Sequence, residues 1–130
     1  MSHQNEVRVR EAFAALARGD LDTLRNDFFS PDLRYHLPGR NQLSGDYDGV
    51  DRVMGLFGRI FELTAGTFGF ELHAVAANDD HAFAHLTESA ERNGRRLNDR
   101  TVVAAHLVGG KATEAWFYHT DQYAVDEFWS

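Results

Sequence analysis

The chain has 130 residues, of which 43% are hydrophobic, with a formal net charge of -7 and no cysteine. This length fits one domain over residues 1–130, and the hydrophobic content excludes a disordered chain. The negative charge excludes the electrostatic surface of a nucleic-acid binder, and the lack of thiols excludes disulfides, thiolate metal sites and cysteine nucleophiles. No apolar run is long enough for a membrane span or resembles a signal segment, so we expect a cytoplasmic protein with no nucleic-acid or membrane partner.

The first half of the chain has the hydrophobic period of helices. Residues 6–18 predict a helix, and residues 21–28 predict a second, shorter one that ends before a proline. Residues 33–37 predict a short strand, and the Gly-, Asn- and Asp-rich residues 40–49 predict a long loop of the kind that often carries function. A third helix is predicted for residues 50–63, with its acidic first turn favoured by the helix dipole.

The second half changes to the alternating pattern of strands. The predicted strands cover residues 68–77, 81–92, 97–108 and 111–118. Asn93-Gly94 and Gly109-Gly110 are typical two-residue hairpin turns between them. Helices followed by an antiparallel meander predict an α+β fold with the helices on one face of the sheet.

The last hairpin turn predicts which side chains face the helices. If Gly109-Gly110 is a two-residue loop, one face of the last two strands is the more apolar, and it carries Glu114 and Trp116 inward while His106 faces outward. The same alternation places Glu88 inward on the preceding strand, either in a pocket or paired with an arginine such as Arg92 or Arg100. The small inward residues leave volume near the sheet that large helix residues either fill or leave open. These small residues are Ala82, Ala84, Ala105 and Ala112, and the large ones are Phe13, Phe57 and Phe61.

Several stretches together resemble the SnoaL-like, ketosteroid-isomerase-like group of the nuclear transport factor-like superfamily. They are Tyr35-His36-Leu37-Pro38-Gly39, Leu43-Ser44-Gly45-Asp46-Tyr47-Asp48-Gly49, Gly110-Lys111-Ala112-Thr113-Glu114-Ala115-Trp116 and Asp121-Gln122-Tyr123. The resemblance implies a cone-shaped curved sheet wrapped around the N-terminal helices, with a hydrophobic pocket. It also implies chemistry such as isomerisation, cyclisation or lyase cleavage, although the superfamily includes binding modules without turnover.

The resemblance also implies a general base. In the cyclase members a carboxylate after the Glu-x-Trp strand removes a proton next to a carbonyl, and Asp121 matches that position. Its spacing from Trp116 is one residue longer than expected, which a bulge around residues 118–120 would correct. The alternative is that Asp121 only caps the helical turn of residues 122–128.

His36 is the second catalytic candidate, because it precedes Pro-Gly at the end of a strand, where a pocket mouth would lie. The alternative is a histidine bonded to the following loop. Tyr35 points to the opposite face in a regular strand. The expected substrate-binding residues are Trp116, Tyr35, Tyr47, Glu88, Glu114, Phe57, Phe61 and His119. A metal triad of His36, His119 and Asp121 lacks supporting His spacing, so no metal is expected.

The sequence therefore predicts a homodimer, paired through the outer sheet face, with a pocket for a small apolar ligand. The expected reaction is proton abstraction next to a carbonyl, with Asp121 as base, His36 as polar partner and no cofactor. A ligand-binding or accessory module without turnover is the alternative. A third interpretation is an interaction protein whose cavity is filled.

Overall fold

A computed structural model describes residues 3–130 of the chain. The helices are α1 (Gln4–Ala17), α2 (Leu21–Thr23), α3 (Val50–Leu63) and α4 (Gln122–Phe128), with a π-helical turn at Leu24–Phe28. The strands are β1 (Phe29–Leu37), β2 (Gly45–Asp48), β3 (Gly69–Ala77), β4 (His81–Arg92), β5 (Arg95–Val108) and β6 (Lys111–His119). They form one curved, unclosed sheet in the order β2-β1-β6-β5-β4-β3, confirming the predicted α+β class.

Helix α3 shows how the helices cover the concave face of the sheet. Its bounds are those predicted, and its buried side chains Val53 and Leu56 are 0% and 3% exposed. Asp51 lies in the first turn, where the helix dipole favours a negative charge. The apolar stripe packs on β1, so the helix forms one wall of the interior.

Strand β1 is longer than the sequence indicated. It begins at Phe29 and runs through Pro31, which the pattern assigned to a break. The proline is tolerated because pairing with β6 is interrupted between Phe29 and Arg34, and pairing with β2 begins only at Arg34. Strand β2 was predicted as loop, since four residues rich in Gly and Asp carry no strand signal.

The inner face of β4 and β5 is the one that the sequence predicted. The register set by the Asn93-Gly94 turn pairs Glu88 with Asp99 and Leu86 with Thr101. Both pairs point towards the helices, together with the buried alanines of β4. The sheet therefore carries a polar strip within its apolar inner face.

The inner face of β6 differs from the prediction because of a bulge. Leu107 pairs with Ala112 but His106 pairs with Glu114, so one extra residue, Thr113, is accommodated in β6. Since side chains alternate along a strand, this extra residue reverses the facing of every later position. The predicted inward placement of Glu114 and Trp116 is therefore wrong.

Ala115, Phe117 and His119 take the inward positions on β6 instead. Phe117 pairs with Val103 and His119 pairs with Thr101, both of which face the helices. The bulge lies at the start of β6, whereas the sequence suggested one around residues 118–120. Its position brings a histidine to the polar strip at the far end of the sheet.

Within residues 3–130, no helix combines the length and the apolar character needed to cross a membrane.

Candidate functional site

Four polar side chains from three neighbouring strands meet inside the cone. Glu88 comes from β4, Asp99 and Thr101 from β5, and His119 from β6. The side chains of Glu88, Asp99 and His119 are 16%, 6% and 11% exposed, and Thr101 is fully buried. We call these four residues the inner cluster.

Hydrogen bonds order the inner cluster around Asp99 and Thr101. The His119 Nδ1 lies 2.8 Å from the Asp99 Oδ2, so a proton on Nδ1 is donated to the carboxylate. The Thr101 hydroxyl lies 2.8 Å from the Glu88 Oε1 and 3.0 Å from the Asp99 Oδ2. The backbone N–H of Asp121 donates to the other oxygen of Asp99, 3.2 Å away.

Two atoms of the cluster have no partner among residues 3–130. They are the His119 Nε2 and the Glu88 Oε2, which make no hydrogen bond while Nδ1 and Oε1 do. Every fully enclosed side-chain nitrogen or oxygen in the described chain has a partner, so these two atoms are accessible to water. An imidazole with Nδ1–H on a carboxylate has its lone pair on Nε2, which is the arrangement of a general base.

Burial favours the neutral form of Glu88. Desolvation raises the pKa of this carboxyl above its ordinary value, and the nearby Asp99 adds to the rise. The charge of His119 and the Thr101 hydrogen bond oppose it, but the direction is upward. With Thr101 donating to Oε1, a neutral Glu88 carries its proton on Oε2, where it can donate to a ligand.

An apolar cavity of about 130 Å³ borders the cluster, and both Glu88 and His119 line it. We call it the head cavity. Most of its walls are hydrophobic, and an engineered protein cavity of about 150 Å³ holds benzene. The predicted wall residues Phe57, Phe61 and Tyr35 line this cavity as well. Apolar space therefore adjoins the inner cluster.

The two predicted catalytic residues do not reach the cavity. The Asp121 side chain accepts a hydrogen bond from Ala124 N–H at 3.1 Å and caps α4 at the exposed end of β6. His36 lies on the outer face of the sheet, because it pairs with Trp116 in the parallel β1–β6 ladder. The prediction that the Asp121 carboxylate and the His36 ring reach one cavity is wrong, and the metal triad that included both does not form.

His36 belongs to a second polar group on the outer face. Its Nδ1 lies 2.6 Å from the Asp46 Oδ1 and its Nε2 lies 2.5 Å from the Glu114 Oε2. The ring also stacks on Trp116 with centroids 5.7 Å apart. We call His36, Asp46, Glu114 and Trp116 the outer cluster. The bond to Asp46, and less strongly that to Glu114, raises the pKa of His36.

The structure also places the remaining candidates Tyr35, Tyr47 and Glu88. Tyr35, not His36, points inward, because it pairs with Ala115 beyond the bulge. Tyr47 donates its hydroxyl to the Leu43 carbonyl at 2.8 Å and lines neither apolar cavity. Glu88 faces the cavity and is not paired with an arginine; Arg92 instead donates to carbonyls at the C-terminus.

Sequence reasoning missed Asp99 and Thr101. The signal was present, since a two-residue turn at Asn93-Gly94 opposes Glu88 to Asp99 and Leu86 to Thr101. The alternation of β5 then puts both missed residues on the face of Glu88. The inward position of His119 depends on the Thr113 bulge, which no residue type in β6 indicates.

Glu88, Asp99 and His119 also have the donor types of a metal site. One ligand atom from each lies within 4.8 Å of the other two. A cation bound there would have to replace the His119–Asp99 hydrogen bond and would meet Thr101 at the base of the cluster. Carboxylate and imidazole ligands together suit several divalent metals and select none.

The chain belongs to the SnoaL-like domain family, whose model matches residues 9–115. An uncharacterised protein of Mycobacterium tuberculosis, Rv0034, is 34% identical over 123 residues, covering 94% of this chain and 93% of the relative. Among solved structures, Bal32a from a soil-derived mobile gene cassette is 34% identical, with a TM-score of 0.93 and coverage of 98% and 97%. The family membership and the resemblance predicted from the sequence agree.

Two more distant structures share the fold alone. An NTF2-like protein of unknown function from Burkholderia pseudomallei has a TM-score of 0.85 at 20% identity, with 98% of each chain covered. TerC, co-crystallised with polyporic acid, has a TM-score of 0.82 at 16% identity, covering 95% of this chain and 96% of TerC. These matches confirm the nuclear transport factor-like fold predicted from the sequence.

Proposed function

We propose that this protein is an isomerase or cyclase that binds a small apolar carbonyl compound in the head cavity and removes a proton next to the carbonyl. His119 is the general base and Asp99 holds its ring. Neutral Glu88 donates a hydrogen bond to the carbonyl oxygen. This replaces Asp121 and His36 in the roles expected from the sequence.

One observation carries the proposal. The His119 Nε2 and the Glu88 Oε2 are the unpartnered atoms of an otherwise bonded cluster, and both residues line the same apolar cavity. A base and an acid beside an apolar cavity are what enolisation needs, because the developing oxyanion needs a donor and the carbon acid needs a base.

The proton movement balances within the site. The His119 Nε2 takes the α-proton, the C–H electron pair forms the enol double bond, and the carbonyl π electrons move to oxygen beside the Glu88 Oε2–H. Return of the proton from His119 to the same carbon gives exchange, and return to a conjugated carbon gives isomerisation. Asp99 accepts the Nδ1–H bond throughout, which stabilises the imidazolium.

Deuterium exchange tests this proposal directly. The purified protein is incubated with 4-phenylcyclohexanone in D2O, and loss of the α-proton signal is followed by NMR. We expect exchange above the buffer rate in the wild type and a loss of about 100-fold or more in His119→Asn, the range for a general base. His36→Gln is the matched control and should exchange at the wild-type rate, since His36 faces outward.

The outcomes separate the alternatives. Exchange that disappears in His36→Gln but survives in His119→Asn would overturn the proposed base. Ketone binding in a calorimeter with no exchange in the wild type would favour the binding module without turnover.

We also propose that the outer sheet face pairs with a second copy of this chain. Phe83 and Tyr118 are 48% and 58% exposed on that face, beside Val102 and Ala104. This central patch carries no carboxylate in a chain of net charge -7, so two copies can meet there without like-charge repulsion.

Sedimentation equilibrium tests the pairing. The wild type should sediment as a dimer and Phe83→Glu as a monomer, while Val7→Glu, on the exposed face of α1, should remain dimeric. A monomeric wild type would overturn this proposal and leave the proposed reaction untouched.

A further inference from the structure

A second apolar cavity of about 90 Å³ lies against the head cavity. Five side chains line both of them, so the two spaces adjoin and only these side chains are shown between them. These shared residues are Phe13, Leu16, Tyr35, Phe57 and Val103. A ligand in the head cavity therefore has apolar space beyond it.

The floor of this second cavity consists of alanines on three strands, and we call it the alanine cavity. The alanines are Ala82, Ala84, Ala105, Ala112 and Ala115. Alanine is depleted in strands, where β-branched and aromatic residues fill space better. Five alanines facing one volume leave the interior underpacked, and native cores otherwise pack to crystal-like density.

Tyr35 lies between the two cavities with an unused hydroxyl. The residue is 8% exposed, and its hydroxyl makes no hydrogen bond to any residue of the described chain, although every fully enclosed polar atom has a partner. The hydroxyl therefore opens onto cavity space. Burial also raises the pKa of Tyr35, so it stays a neutral donor. A buried hydroxyl without a partner is costly unless a ligand or water satisfies it.

Arg8 closes the far end of the alanine cavity. Its guanidinium donates to the Gly110 carbonyl at 3.1 and 3.2 Å and to the Asp27 carbonyl, and it lies 4.4 Å from the centre of the Phe28 ring. Its Nε and Nη2 are thus engaged with backbone carbonyls, and the other side chains that line the cavity are apolar apart from the Tyr35 hydroxyl. The cavity suits an uncharged tail.

We propose that the ligand is an elongated, uncharged molecule that occupies both cavities. Its carbonyl lies at His119 and Glu88, an ether or hydroxyl oxygen meets the Tyr35 hydroxyl, and an apolar tail covers the alanines. This proposal rests on the proposed function of the head cavity. Tyr35 pairs with Ala115, four residues from His119, so the backbone positions of Tyr35 and His119 lie about 13 Å apart along β6. This separation favours an elongated ligand.

Three neutral ketones test the proposal by titration calorimetry. They are 4-phenylcyclohexanone, 4-(4-hydroxyphenyl)cyclohexanone, which adds the oxygen, and 4-(4-butoxyphenyl)cyclohexanone, which has an ether oxygen and adds the tail. In the wild type we expect the hydroxyl to tighten binding about three- to tenfold. We expect the butoxy compound to bind at least tenfold tighter than 4-phenylcyclohexanone, because its tail is buried.

Two variants assign these gains to their residues. Tyr35→Phe should abolish the gain from the hydroxyl, and Ala84→Leu should abolish the gain from the tail. Each gain is the ratio of a variant's affinity for the longer ketone to the affinity of the same variant for 4-phenylcyclohexanone. Ala76→Leu, the same change at an exposed position of β3, is the control and should keep both gains. If Ala84→Leu does not fold, Ala105→Val supplies the same test with a smaller addition.

The outcomes distinguish this proposal from the one on which it rests. If 4-phenylcyclohexanone binds but neither addition tightens binding, the two-cavity ligand is wrong and the head cavity stands. Gains that survive in both Tyr35→Phe and Ala84→Leu also overturn it. If no ketone binds the wild type, both proposals fail.

Discussion

The inner and outer clusters contain nearly the same chemistry on opposite faces of one sheet. Each has a histidine close to two carboxylates, His119 with Asp99 and Glu88, and His36 with Asp46 and Glu114. In the outer cluster both ring nitrogens are bonded to carboxylates. In the inner cluster Nδ1 is bonded, Nε2 has no hydrogen-bond partner in the described chain, and the residue lines a cavity. A titratable group is available for chemistry only when one of its atoms is free and aimed at space that a substrate can fill.

The outer and inner clusters also differ in their exposure to solvent. The Asp46 side chain is 67% exposed, so water screens its interaction with His36. Glu88 is desolvated, and its pKa rises for that reason. The same residue types therefore form a partly exposed ion pair on one face and a desolvated cluster, with a raised Glu88 pKa, on the other.

Deleting Thr113 should have the largest effect, because the bulge decides which cluster each β6 residue joins. Without it, Ala115, Phe117 and His119 would turn outward and Glu114 and Trp116 inward. We expect the deletion to abolish cooperative unfolding, since the loss approaches the total stability of about 5–15 kcal/mol of a small domain. Circular dichroism during thermal melting measures this.

Thr113→Ala is the matched control for the deletion. It keeps the extra residue but removes the hydroxyl, which bonds His106. It should cost about 1 kcal/mol and retain a sharp transition. A deletion variant that melts like Thr113→Ala would contradict the importance of the bulge.

Removing the carboxylate that holds each histidine compares the clusters directly. Asp99→Asn should reduce ketone proton exchange by about 100-fold, because the amide no longer fixes the Nδ1–H tautomer of His119 or stabilises its cation. Asp46→Asn should leave exchange unchanged. Rates are measured by NMR in D2O, and equal losses in the two variants would refute the assignment of the inner cluster.

Glu88→Gln should alter the pH dependence of stability. The folded-state pKa of Glu88 lies above its ordinary value, so its contribution is fully present at low pH and is lost as pH rises through the folded pKa. The unfolding free energy of the wild type should therefore fall as pH rises from the ordinary pKa of Glu88 to its folded-state pKa. This decrease should be absent from Glu88→Gln. Urea titrations from pH 4 to pH 9 give both curves, and parallel curves would argue against a buried neutral Glu88.

His36→Gln should have the smallest effect, below about 1 kcal/mol, because its partner Asp46 is exposed. The raised pKa of His36 means that its contribution is present below pH 6.5 and is lost as pH rises through the folded value. The same urea titrations should show this loss of unfolding free energy in the wild type and in Glu88→Gln but not in His36→Gln. A change above 2 kcal/mol would mean that the outer cluster holds the sheet together.

The sequence by itself determined the framework, because that information is local. Hydrophobic period predicted α3 with its observed bounds, two-residue Gly turns predicted the β4–β5 and β5–β6 hairpins, and alternation predicted that Glu88 faces inward. The family resemblance covered the chain and was confirmed. The register set by the Asn93-Gly94 turn also pairs Glu88 with Asp99.

Only the tertiary structure decided which face β6 presents. A bulge depends on how two strands fit each other, and an alternating sequence such as that of β6 suits either facing equally well. That single residue moved Trp116 and Glu114 outward and His119 inward. The parallel β1–β6 pairing then placed Tyr35 in the interior and His36 outside. The candidate base changed from Asp121 to His119 for this reason.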